Sequence, residues 1–130
     1  MDSGAFKAIQ HAASVALTDE GVEAHIQQVN QHYAAQQRHF VEGLRSLGWP
    51  VDEMKLPDAT FYFWLPIPPR YSDCVQFAND LLETSGIVVV PGTGFGQYGE
   101  GFVRLSLVLP KEQLDEVIAR MKADGFTWAG

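Results

Sequence analysis

The sequence predicts an α+β fold: a small mixed or antiparallel sheet with helices packed on one face, preceded by a long connecting helix. Three observations carry that reading. Apolar residues at Val22, Ile26, Val29, Tyr33, Phe40, Leu44 and Leu47 recur at spacings of three, four or seven, the mark of one continuous helix face. Three β-rich runs follow, at Thr60–Leu65, Ile87–Val90 and Phe102–Leu109. Two amphipathic stretches of helical period, opened at Ser72 and Pro110, alternate with those runs.

In chain order, Phe6–Leu17 sets Phe6, Ile9, Ala13, Val15 and Leu17 among good helix formers, and Ser3 is the expected N-cap. Thr18, followed by Asp19 and Glu20, starts the long helix with acids in its first turn, where the helix dipole favours them. Gly48, Trp49 and Pro50 stop it. About 28 residues at ~1.5 Å each span roughly 40 Å, more than one small domain needs, so this helix reads as a connector beside a second body. Thr60–Leu65 is aromatic-rich and bounded by Pro57 and Pro66. The helix after it takes Ser72 as cap, Val75, Phe77, Ala78, Leu81 and Leu82 as its buried stripe, and Gly86 as its stop. Pro110 opens the last helix, with the stripe Leu114, Val117, Ile118 and Met121.

Composition narrows the function classes. The 130 residues make one domain's worth of chain, and 46% hydrophobic content suits a folded core. A net charge of −7 argues against a nucleic-acid surface. No apolar run approaches the roughly 20 residues of a membrane span, and the N-terminus carries no charged-then-apolar signal, so a cytoplasmic protein is expected. The single cysteine, Cys74, has no internal disulfide partner and reads as a half-buried helix residue, not a nucleophile.

Gly94–Gly99 spells GFGQYG, the G-x-G-x-x-G spacing of a dinucleotide-binding loop. That motif requires its third glycine to open a helix whose N-terminus receives the pyrophosphate. Here Gly99 leads instead into Phe102–Leu109. There Val103, Leu105, Leu107 and Leu109 alternate with Phe102, Arg104, Ser106 and Val108, a period of two. The glycines therefore join two strands, and the dinucleotide reading fails.

His25, His32 and His39 recur every seven residues, about 10 Å apart along a helix, too far for two to share one ion, and read as solvated; no metal site is expected. Arg104 is different. A guanidinium flanked by apolar residues in mid-strand is costly unless a carboxylate or phosphate meets it. An internal pair with an Asp or Glu satisfies that need, and so does a ligand carboxylate gripped by the planar fork. The glycine-rich segment beside it favours the ligand.

The stretches SGAFKAIQHAASVAL, ATFYFWLPIP and GIVVVPGTGFGQYGEGFVRLSLVLP resemble, in order and spacing across nearly the whole chain, the C-terminal portion of class I/II pyridoxal-phosphate-dependent aminotransferases of fold type I. DSGAFKAIQ is similar to the aspartate, alanine and LL-diaminopimelate branch. The resemblance implies an amino-group transfer from an amino acid to a 2-oxo acid. It also implies a partition into residues 1–20 as the end of a large domain, 21–48 as an inter-domain helix and 49–130 as the small domain. By the same resemblance Arg104 grips the substrate's α-carboxylate, Phe61 lines the substrate pocket, and Ser3 reaches the cofactor region of a neighbouring subunit in a homodimer. The glycine segment belongs to a part of the small domain that moves as the site closes.

The family's cofactor lysine has no counterpart. Lys7, Lys55, Lys111 and Lys122 lie in ordinary helical or polar surroundings, none after a Ser-x-x motif. The Asp that pairs with the pyridine nitrogen, the phosphate cup and the stacking aromatic are missing as well. No catalytic residue and no bound cofactor are therefore expected in this stretch, and Met1 directly before Asp2 reads as a truncated or cloned start. The competing reading is a stand-alone carboxylate-binding or interaction module without catalysis. A third is a structural domain in which Arg104 pairs internally.

Overall fold

The computed structural model describes residues 6–129, which divide into two compact units, Met1–His32 and Tyr33–Gly130. The first unit holds helix α1 (Lys7–Leu17) and the opening turns of helix α2 (Glu20–Ser46). No residue of α1 is buried, and Phe6, Ile9, Val15 and Leu17 are exposed. Phe6 occupies its cap position without a side-chain cap bond, so the helix begins four residues after Ser3, which lies outside the described residues. Thr18 closes α1 instead of opening α2: its hydroxyl donates to the carbonyls of Ser14 and Val15. The residue that caps α2 is Asp19, whose carboxylate accepts from Gly21 N at 2.7 Å.

In the second unit, α2 buries Gln36, Phe40, Val41 and Leu44, and Gly48 at φ +85° ends the helical path. A three-stranded antiparallel sheet follows, built from β1 (Tyr62–Pro66), β2 (Val90–Pro91) and β3 (Phe102–Ser106) in the order β1-β3-β2. Residues directly opposite in antiparallel strands share a face. The pairs Phe63↔Leu105 and Leu65↔Val103 form the inner face, where Phe63, Leu65 and Val103 are fully buried. Phe40 meets Phe63 edge-on at 5.5 Å and ties α2 to that face. Helices α3 (Cys74–Ser85) and α4 (Lys111–Ala123) cover the same side. Leu81 of α3 and Leu114 and Met121 of α4 share with Leu65 and Leu105 the walls of one cavity of about 350 Å³. The α+β arrangement with helices on a common face is thus present.

The strands are shorter than the sequence suggests, each for a local reason. β1 starts at Tyr62 because Thr60 takes φ +72°, which is not extended backbone. β2 keeps only Val90 and Pro91, since the Ile87 amide is used to close α3 by donating to the Leu81 carbonyl at 3.2 Å. β3 ends at Ser106; beyond it the Leu109 carbonyl accepts from the Gln36 side chain of α2, and Pro110 then opens α4.

Helix α3 corrects three expectations. Its cap is Asp73, not Ser72: the Asp73 carboxylate accepts from Val75 N at 2.7 Å and Gln76 N at 3.3 Å. Its buried face is Cys74, Phe77, Ala78, Leu81 and Ser85, while Val75 and Leu82 are 42% and 49% exposed. The phase is decided by Phe77, which packs between Tyr71 and Phe126. Cys74 is fully buried instead of half-buried. Gly86 ends the helix at φ +65°, as the sequence predicts. Among the described residues no helix is long and apolar enough to cross a membrane.

Candidate functional site

Arg104 lies on β3, the central strand, and not at the sheet's edge. Its register partners are Trp64 on β1 and Val90 on β2, so its half-buried side chain belongs to the outer face, opposite the helices. The guanidinium carbon sits over two rings, 4.1 Å from the Tyr62 centroid and 4.4 Å from that of Phe95. Trp64 in turn meets Phe95 edge-on at 5.7 Å and stacks on Phe102 at 5.7 Å. Among the described residues no carboxylate pairs with Arg104. A cation held by aromatic rings and not by a carboxylate keeps its charge available to an anion.

Phe61 stands one residue before β1. Its carbonyl accepts from Leu107 N at 2.7 Å, and its ring lies 4.4 Å from Tyr62 and 5.5 Å from Tyr33. Tyr62 thus joins the two residues singled out from the sequence, Arg104 and Phe61, in one run of ring contacts. Tyr62, Trp64 and Phe95 escape the sequence reading, although the two-residue alternation of Tyr62 and Trp64 was the signal available for them.

The glycine segment consists of two short 3-10 turns, Gly92–Phe95 and Gln97–Gly99, followed by β3. Gly99 leads into a strand and opens no helix. At Gly92 and Gly99 the two backbones cross so closely that a Cβ on either would overlap the carbonyl oxygen of the other. Gly96 takes φ +122°. Of the motif's glycines, Gly99 answers to close approach and Gly96 to backbone angle, whereas a Cβ at Gly94 would meet only a Val90 methyl at 3.8 Å. Glu100 fastens this segment to α3. Its carboxylate accepts from Cys74 N at 2.8 Å and Gly101 N at 3.0 Å, and those amides hold its pKa below the usual carboxylate range, against a smaller effect of burial.

Asp73, Cys74 and Glu100 bring potential metal-ligand atoms within 4.8 Å of one another. Both carboxylates are already engaged by the amides of the first turn of α3, where the helix dipole favours anions and opposes a cation. The group is a helix cap. On α2, His39 is not simply solvated: its Nε2 lies 2.5 Å from Asp115 Oδ1, and Lys111 reaches the other oxygen at 3.1 Å. Lys111 first and His39 second hold the Asp115 carboxyl below its usual range.

The cofactor of the resembled family does not fit the residues described. All four lysines are exposed, and Lys111 is committed to Asp115. Lys55 borders an open cavity of about 550 Å³ together with Asp58, Trp64 and Phe102, yet that lining has no hydroxyl or guanidinium to receive a phosphate. Ser3, tied to the cofactor region by resemblance, lies outside the described residues.

The family model for "Aminotransferase class I and II" matches residues 4–121. This chain belongs to that family. Among class I and II aminotransferases, it is 46% identical to an LL-diaminopimelate aminotransferase of Gloeobacter violaceus, over 100% of this chain and 32% of that one. Among solved structures, apo-BacF of Bacillus subtilis superposes with a TM-score of 0.82 at 33% identity, covering 98% of this chain and 31% of BacF. An aromatic aminotransferase of Pyrococcus horikoshii gives 0.78 at 30% identity, over 88% and 30%. The chain thus spans about a third of the length of these relatives.

Proposed function

We propose that this chain is the substrate-recognising small-domain part of a pyridoxal-phosphate-dependent aminotransferase, with Arg104 as the anchor for the substrate's α-carboxylate and Phe61 beside it. The observation that carries the reading is a guanidinium on the outer face of the central strand that meets two rings and, among the described residues, no carboxylate, in a chain of this family. The reaction moves an amino group from an amino acid to a 2-oxo acid. Kinship with LL-diaminopimelate aminotransferases supports a substrate of that type. When bound, pyridoxal phosphate supplies the electron sink for that transfer. The lysine and phosphate cup that hold it belong to a large domain outside this chain. In the same reading residues 1–20 complete that large domain, 21–48 form the inter-domain helix, and 49–130 close over the substrate. The working form is a cytoplasmic homodimer, in which the exposed apolar face of α1 is covered.

The test is Arg104→Lys in the protein that carries this chain. Lysine keeps the charge but loses the two-pronged geometry. A charge-assisted bidentate contact is worth about 2–3 kcal/mol, so kcat/KM for the amino acid should fall by roughly two orders of magnitude. Cofactor affinity should stay as it was, because the arginine addresses the substrate. Unchanged kcat/KM would remove Arg104 from the site.

A further inference from the structure

We infer that Tyr62 and Phe95 are positioning residues for the carboxylate anchor: their rings hold the Arg104 guanidinium on the outer face of the sheet without neutralising it. The inference rests on the proposed role of Arg104 and goes beyond it, to what keeps that side chain ready.

An arginine on an open sheet face has two ordinary fates. It pairs with a carboxylate, which then competes with any ligand for the fork, or it extends into water and loses its rotamer freedom only when a ligand arrives. Arg104 follows neither course. Its guanidinium carbon lies over Tyr62 and Phe95 at 4.1 and 4.4 Å, inside the range in which a ring face attracts a cation. A ring face attracts the cation without bringing a negative charge of its own, so the guanidinium keeps its full charge for a carboxylate. The freedom lost in holding the side chain is lost on folding, before the substrate arrives.

The two rings come from different segments, Tyr62 from β1 and Phe95 from the first turn of the glycine segment. Each is itself held. Tyr62 touches Phe61 at 4.4 Å, and Phe95 meets Trp64 at 5.7 Å. The Gly92–Gly99 crossing and the Glu100 bond to Cys74 seat the segment that carries Phe95. The aromatic pair therefore makes the aim of Arg104 depend on how the glycine segment is seated. Both rings are well outside the core, 38% and 51% exposed, as befits residues that act at a surface site.

The experiment uses the full-length protein that carries this chain, with Tyr62→Leu and Phe95→Leu made alone and in an Arg104→Lys background. Each leucine should raise KM for the amino acid about five- to tenfold while kcat changes by less than about twofold. In the Arg104→Lys background the same leucines should add little, because they act through the fork that lysine lacks. Tyr62→Phe and Phe95→Tyr, which keep a ring, should retain the parent KM. Should a leucine lower the melting temperature, methionine at the same position fills the space without a ring and repeats the measurement. Leucine variants with parent KM, alongside an impaired Arg104→Lys, overturn the inference and leave the role of Arg104 standing. Leucine effects of full size in the lysine background also overturn it, since they mean direct contact with substrate. An unimpaired Arg104→Lys overturns both.

Discussion

Two single residues, Thr60 and Glu100, carry costs or bonds that a measurement can isolate. Thr60 is β-branched and sits at φ +72°, a region such residues rarely enter and where strain costs about 1–3 kcal/mol. Its hydroxyl accepts from Tyr62 N at 3.3 Å, a turn that holds the start of β1. Asparagine tolerates the left-handed region and makes the same kind of turn, so Thr60→Asn should stabilise the chain by about 1 kcal/mol in urea unfolding. A loss of stability would mean that the threonine is not strained. Glu100 offers the second case. Its folded pKa is depressed by the Cys74 and Gly101 amides, so its contribution is present while the carboxylate is ionised in both states. That contribution should begin to fade as pH drops below about 4.3, the unfolded glutamate's value, and be gone below the folded one. Asp115, depressed by Lys111 and His39, acts in the same direction. In thermal melts between pH 7 and 2, Glu100→Gln should melt lower at neutral pH and show a shallower acid decline. An acid limb as steep as that of the parent would remove Glu100 as its cause.

At the scale of the element, the glycine segment is the part most easily misread. Its spacing matches a nucleotide loop, but two of its features have steric explanations. A methyl at Gly99 has nowhere to go, because the Gly92 carbonyl oxygen already fills the space, whereas a Cβ at Gly94 meets nothing nearer than a Val90 methyl at 3.8 Å. Gly99→Ala should therefore cost about 1–3 kcal/mol or more. Gly94→Ala should stay within about 0.5 kcal/mol. Equal costs at the two positions would show that the crossing does not govern the segment. The same contrast separates steric need from ligand need, since a pyrophosphate loop depends on its first glycine as well.

Across the whole molecule, burial is distributed very unevenly. The core lies in residues 33–130, where Phe40 joins α2 to the sheet and is 1% exposed, while α1 buries nothing. Phe40→Ala should cost about 3–5 kcal/mol in chemical denaturation of this chain. Ile9→Ala, at a site 66% exposed, should change stability by less than about 0.5 kcal/mol. A larger effect at Ile9 would reveal a partner for α1 in solution. Amide exchange should follow the same division, slow around Phe40 and Leu44 and fast along α1.

Much of this protein is local and so was legible in the sequence alone. A glycine in left-handed geometry ends α2 at Gly48 and α3 at Gly86, and a proline with no N–H to donate opens α4, whatever lies nearby. The alternation of Val103 with Arg104 already separates an inner from an outer face on β3. Strand limits were not legible, because they depend on where amides find distant partners: the Ile87 amide goes to α3, and the Leu109 carbonyl goes to Gln36. The phase of α3 was equally closed to inspection, since a three-four spacing permits either Val75 or Cys74 on the buried side until Phe126 packs against Phe77. The candidate site divides in the same way. Arg104 stands out in the sequence because a charge in mid-strand is costly anywhere. Tyr62 and Phe95 do not, because only the pairing of β1 with β3 and the folding back of the glycine segment bring rings 42 and 9 positions away onto one guanidinium.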